Sequence, residues 1–145
     1  MNHYTSANFS MTQSIGFALT KARNLVAAEV DTALKDLDIS SQQMGIVLSL
    51  QRGIATTPFE LSKLLGIDTG LMTRMLDKLE TKGLLARSRS VEDRRVVNLH
   101  LTRKGEQVAA QIPGIVPPVL NARLRNFSRA EFEELKRLLA KFIGE

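Results

Sequence analysis

The chain of 145 residues, 43% hydrophobic and 24% charged, holds enough apolar material for one folding unit with a substantial core. It contains no cysteine, which excludes disulfides, thiol catalysis and thiol-based peroxide sensing. The formal net charge is +5, no apolar run reaches about 18 residues, and the opening stretch MNHYTSANFS lacks the regions of a signal peptide, so a cytoplasmic protein without a membrane span is expected.

Ser14 to Leu37 repeats Ile15, Leu19, Ala22, Val26, Val30, Leu34 and Leu37 at steps of three and four, the period of one helix face. A helix of that extent is about 36 Å long at a rise of 1.5 Å per residue. It outruns the core of a small domain, and its surplus apolar stripe is then available to a partner chain. The alternative is a helix packed wholly within its own chain.

A second helix is expected within Asp38 to Gly53. Ser40 and Gln43 fit a capping box, Met44, Val47, Leu48 and Leu50 supply apolar surface, and Gly53 closes it. Ile54 to Thr56 is expected as a short strand beside a later hairpin. A third helix, Thr57 to Leu65, has Thr57 as cap, Pro58 in the first helical position and Glu60 completing a box. Gly66 breaks it.

Asp68 to Gly83, DTGLMTRMLDKLETKG, forms the fourth helix. Asp68 caps it, its carboxylate suiting the free amides and positive dipole of the first turn, and Gly83 ends it. Met72, Met75, Leu76 and Leu79 make one apolar face. The other carries Thr69, Thr73, Arg74, Asp77 and Lys78, hydroxyls and cations able to reach base edges and phosphates. Helix, Gly-Ile-Asp turn, helix is the helix-turn-helix order, with the second helix aimed at the major groove.

Leu84 to Arg89 (LLARSR), a charged tip Ser90 to Arg95 (SVEDRR) and the alternating Val96 to Leu101 (VVNLHL) predict a two-stranded hairpin. Val97, Leu99 and Leu101 share one face, Asn98 and His100 the other. A hairpin directly after such a helix reads as the wing of a winged helix-turn-helix. Thr102 then caps a fifth helix expected to end near Ile112, because Pro113, Gly114, Pro117 and Pro118 predict a kink or bent connector over Gly114 to Val119. Ser128 and Glu131 box the start of the last helix, which carries Phe132, Leu135, Leu138, Leu139 and Phe142.

The charge is concentrated. Residues 68 to 104 hold nine Lys or Arg against five Asp or Glu, while 1 to 67 balance at five against five and 105 to 145 stand at six against five. A basic stretch confined to helix and wing is the footprint expected for a phosphate backbone. A membrane-surface protein would instead line one amphipathic helix with cations. A pure interaction module would explain the fold but not the concentrated charge. Catalysis finds no support: His3 and His100 are the only histidines, phosphate-binding loops are absent, and no metal site or cofactor is expected.

The run KLETKGLLARSRSVEDRRVVNLHLTRKG, with its G-L-L turn, E-D-R-R wing tip and L-T-R-K-G helix start, is similar to the helix, wing and following helix start of the MarR family of bacterial transcription regulators. The resemblance spans about residues 11 to 145, strongest over 40 to 107. It implies a mainly α fold, a winged helix-turn-helix with a two-stranded β-wing and long N- and C-terminal dimerisation helices. The whole chain, 1-145, would be one domain, with 10-37 and 113-145 as dimerisation helices and 38-112 as the DNA-binding lobe. It further implies a homodimer that binds double-stranded DNA at a pseudo-palindromic operator, usually as a repressor, released by a small aromatic or lipophilic effector. Carried over by position, Thr69, Gly70, Thr73, Arg74 and Lys78 fall on the DNA-facing part of the helix, and Asp93, Arg94 and Arg95 match the wing tip. Gly70 stands where family members often have serine. Arg87 counts with the DNA-binding set, and Lys78, Lys82 and Arg87 take the phosphates if the wing is only structural. The ligand pocket is expected between the dimer helices and the DNA-binding lobe, with Leu19, Arg23, Met44 and Leu48 as candidates.

Overall fold

The computed structural model describes residues Met1–Glu145. After a short turn of 3-10 helix at Met11–Gln13, the chain forms α1 (Ile15–Ala33), a second such turn at Lys35–Leu37, α2 (Ser41–Arg52), α3 (Pro58–Leu65), α4 (Thr69–Thr81), β1 (Leu85–Arg89), β2 (Val97–Leu101), α5 (Arg103–Leu124) and α6 (Arg129–Ile143). This is the mainly helical winged helix-turn-helix expected from the sequence. None of its helices is long and apolar enough to cross a membrane.

Helix starts follow local chemistry. The capping boxes at Ser40/Gln43 and Ser128/Glu131 are both reciprocal. At α3 the expected box is not closed in that way. Thr57 accepts from the Glu60 amide at 3.2 Å, but its hydroxyl donates to the Glu60 carboxylate at 2.9 Å, so the two side chains satisfy each other.

The core lies where the end of α1, α2, α3, α4, the hairpin and the first half of α5 meet. Leu34, Ile46, Leu61, Met72, Leu76, Leu79, Leu85 and Ile112 are fully buried in it. Each such Leu or Ile stabilises the fold by about 1.5–3 kcal/mol relative to an exposed one. The expected strand at Ile54–Thr56 does not form. One backbone bond, Leu99 N to Thr56 O at 2.7 Å, joins it to β2, and the sheet has two strands, antiparallel, with Leu85 opposite Leu101 and Arg89 opposite Val97.

α5 also departs from expectation. It runs unbroken through Pro113, Pro117 and Pro118, so no connector replaces Gly114 to Val119, and a boundary at 112/113 falls inside a helix. Each proline removes a backbone bond and costs about 3 kcal/mol in a helix interior. The three prolines and Gly114 all lie on the exposed side, while Val108, Ala109, Ile112 and Val116 form a buried stripe at helical spacing. Tertiary burial of that stripe outweighs the local preference.

Two helices contribute little or nothing to the core. α6 buries none of its residues, and in α1 only Val30 is buried. Met11, Ile15, Leu25, Leu138, Leu139, Phe142 and Ile143 are correspondingly exposed in the single chain.

Candidate nucleic-acid interface

The interface is built on α4. Asp68 caps it by accepting from the Leu71 amide at 3.0 Å, and Met72, Met75, Leu76 and Leu79 anchor one face in the core. The other face is therefore held outward: Thr69, Gly70, Thr73, Arg74, Asp77 and Lys78 are all exposed. Thr73 donates its hydroxyl to the Thr69 carbonyl at 2.9 Å, which leaves its oxygen free to accept from a ligand. Arg74 and Lys78 enter no ion pair within the chain. At Gly70 a Cβ would stand 3.2 Å from the Asp68 carboxylate and 3.7 Å from a guanidinium nitrogen of Arg74, so the missing side chain leaves room for Arg74 to lie back over the first turn.

The wing is joined to this helix by Arg87. Its Nη2 donates to Asp77 Oδ1 at 2.7 Å, and its Nε lies 3.8 Å from Glu80. Side chains alternate along a strand, so Arg87 and Arg89 share the face of Leu85, which is buried. That face looks toward α4. Arg87 consequently spans from the wing to the helix.

The wing tip is closed by its own charges. Asp93 accepts from the Arg95 amide at 3.0 Å, from its Nε at 3.1 Å and from its Nη2 at 3.1 Å. The side-chain bond from Arg95, then the backbone one, holds the Asp93 carboxyl below its ordinary range. Arg89 donates to the Arg94 carbonyl at 2.8 Å. Arg95 is thus braced, while the Arg94 side chain is exposed and enters no ion pair. Arg89 was absent from the sequence-based set. It lines a groove with Pro58, Thr73 and Arg87, and its parity with Arg87 on β1 was the available signal.

Behind the helix-turn-helix lies a cavity of about 510 Å³, bounded by α1, α2, α5 and the turn into α4. Arg23 and Met44 line it, together with Val26, Ile67, Asp68 and Leu71. Leu19 and Leu48 do not. Leu19 sits a turn before Arg23 on α1, and Leu48 packs against the core.

A model of the MarR family matches residues 39–97. The chain is 35% identical over 111 residues to the multiple antibiotic resistance protein MarR of Escherichia coli (strain K12), covering 76% of this chain and 77% of that protein. It resembles the crystal structure of a cysteine-to-serine mutant of Escherichia coli MarR complexed with operator DNA, with a TM-score of 0.84 and 28% identity over 93% of this chain and 99% of that one. It also resembles the transcriptional repressor CouR bound to a 23-mer DNA duplex, with a TM-score of 0.80 and 27% identity over 94% and 99% of the two chains.

Proposed function

Because the chain belongs to the MarR family of DNA-binding transcription regulators, we propose that it represses transcription by binding a pseudo-palindromic operator as a homodimer, and that a small aromatic or lipophilic ligand releases it. The observation that carries this reading is the pairing of two faces within one chain. One is basic and unpaired: Arg74 and Lys78 on α4 and Arg94 at the wing tip. The other is apolar and uncovered: Leu135, Leu138, Leu139 and Phe142 on α6. A repressor dimer uses both, the first against DNA and the second against its copy, with isologous contacts about a two-fold axis.

In that arrangement residues 10–37 and 113–145 serve the dimer and 38–112 serve DNA, with the unbroken α5 joining the two parts through its middle. Thr69, Thr73 and Arg74 read base edges in the major groove, while Lys78 and Arg94 meet phosphates. Gly70 gives close backbone approach in place of a hydroxyl. Asp93 and Arg95 shape the wing, and Arg87 orients it. The two α4 helices then lie about 34 Å apart, one DNA turn, which sets half-sites about 10 base pairs apart.

The effector reading is supported by the cavity behind α4. Arg23 is the single cation on its wall and suits a carboxylate or phenolate; Met44, Val26 and Leu71 suit an aromatic body. Asp68 and Leu71 belong both to this wall and to the capped first turn of α4. A ligand releases DNA only by binding better to a conformation whose recognition helices are misplaced, and a wall shared with the first turn of α4 couples the cavity to that placement.

Sedimentation at micromolar concentration and footprinting on a selected operator test the assembly. A stable monomer, or protection of one asymmetric half-site, would sink it. Titration of the operator complex with aromatic acids, quinones and antibiotics tests release. If none dissociates DNA while a protein partner does, the small-ligand reading is wrong.

A further inference from the structure

We propose that Lys82 is a positioning residue that fixes the angle between the recognition helix α4 and the arm formed by α1, acting through the left-handed residue Asp38. This rests on the dimeric operator reading above.

The arm must turn sharply to enter α2, and it does so at Asp38, with φ 55° and ψ 40°, where no glycine is used. A left-handed aspartate is tolerated but strained, and it persists where surrounding groups hold it. The group that holds it comes from 44 residues later in the chain. Lys82, the C-cap of α4, donates from Nζ to the Asp38 carbonyl, and the same ammonium lies 3.7 Å from the Asp38 carboxylate.

The backbone at this cap is tied from the other side. Lys104 donates to the Lys82 carbonyl at 3.0 Å, and Thr102 donates its hydroxyl to the Gly83 carbonyl. The end of the arm, the end of α4 and the start of α5 thus converge on Lys82. An exposed ion pair adds little stability, so the consequence of this one is geometric. α4 spans about 20 Å, so a tilt of a few degrees at its C-cap displaces its DNA-facing first turns by about 1 Å. In a dimer whose copies are joined through the arms, that tilt changes the separation of the two recognition helices.

The test uses the full-length protein and a duplex selected from a random library. Half-sites are presented singly, at the selected spacing, and with one base pair inserted or removed. The wild type is expected to prefer the selected spacing by about tenfold or more. Lys82→Met should keep its affinity for a single half-site and lose most of that preference, and Lys82→Arg should restore it. As the chain has no cysteine, a label on Thr69→Cys, in the exposed first turn of α4 that a tilt at the C-cap moves most, reports the distance between the two α4 helices without DNA. That distribution should broaden in Lys82→Met.

If Lys82→Met retains the full spacing preference with an unbroadened distance, the proposal fails while the dimeric reading stands. If it loses single-site and paired-site affinity equally and lowers the salt slope, Lys82 is a phosphate contact and the proposal is overturned. A wild type indifferent to spacing refutes the dimeric reading itself, and the proposal with it.

Discussion

Arg87 on the first wing strand donates to Asp77 on the recognition helix at 2.7 Å, and this contact makes helix and wing one unit. It also neutralises an acidic group on the face that carries Arg74 and Lys78. Arg87→Met leaves Asp77 and Glu80 uncompensated on that face and frees the wing, so operator affinity should fall about three- to tenfold. Adding Asp77→Asn should recover part of the loss, with a coupling of about 0.2–1 kcal/mol between two partly exposed groups. Fluorescence anisotropy on the four proteins measures the cycle. A salt slope reduced by one unit in Arg87→Met would place Arg87 on a phosphate instead.

Arg74 and Arg94 should separate by kind of loss. Arg74 stands on the helix face beside Thr73, and its removal should blur discrimination at one base pair by about 1–3 kcal/mol. Arg94→Ala should weaken operator and scrambled duplex alike and lower the slope of log affinity against log salt by about one unit. Arg95→Ala, in contrast, removes a brace, and its slope should change less than that of Arg94→Ala. Equal slope changes for both wing arginines would assign phosphate contacts to both.

The wing tip also predicts a titration. Bonding to Arg95 lowers the Asp93 pKa from 3.8. A carboxyl lowered in the folded state stabilises the fold above its unfolded pKa, and that contribution disappears as pH falls through the folded value. The tip should therefore keep its closure throughout neutral and mildly acidic pH and open only below 3.8. Carboxyl chemical shifts followed by NMR should give an Asp93 midpoint under 3.8, moving upward in Arg95→Ala. A midpoint unmoved by that substitution would mean the bonds are not held in solution.

Gly105 carries a different constraint. A Cβ there would sit 2.0 Å from the Leu84 carbonyl oxygen, the same oxygen that accepts from the Thr102 amide at 3.0 Å. Backbone cannot yield as a flexible side chain can, so Gly105→Ala should destabilise the fold by about 1–3 kcal/mol, read as a lower denaturant midpoint. Gly114→Ala, with nothing within 4 Å of its Cβ, is the control and should hold or raise the midpoint.

Helix starts, the helix-turn-helix order and the hairpin were legible in the sequence because their signals are local. Asp68 meets the amide of Leu71, Ser128 that of Glu131, and the alternation of Val97, Leu99 and Leu101 lies within one strand. Each involves groups only a few residues apart, which the chain itself keeps close. The course of α5 was not legible, since Pro113, Pro117 and Pro118 argue locally for a break, and only the buried stripe from Val108 to Val116 overrules them. Nor was the partner of Arg87 legible, since only the packing of Leu85 turns its strand face toward Asp77. Lys82 meeting Asp38, and Arg23 sharing a cavity with Asp68, join groups far apart along the chain. Periodicity and caps say which side of a helix is apolar; which partner that side finds, and which charges are thereby paired or left free, is settled only when the elements pack.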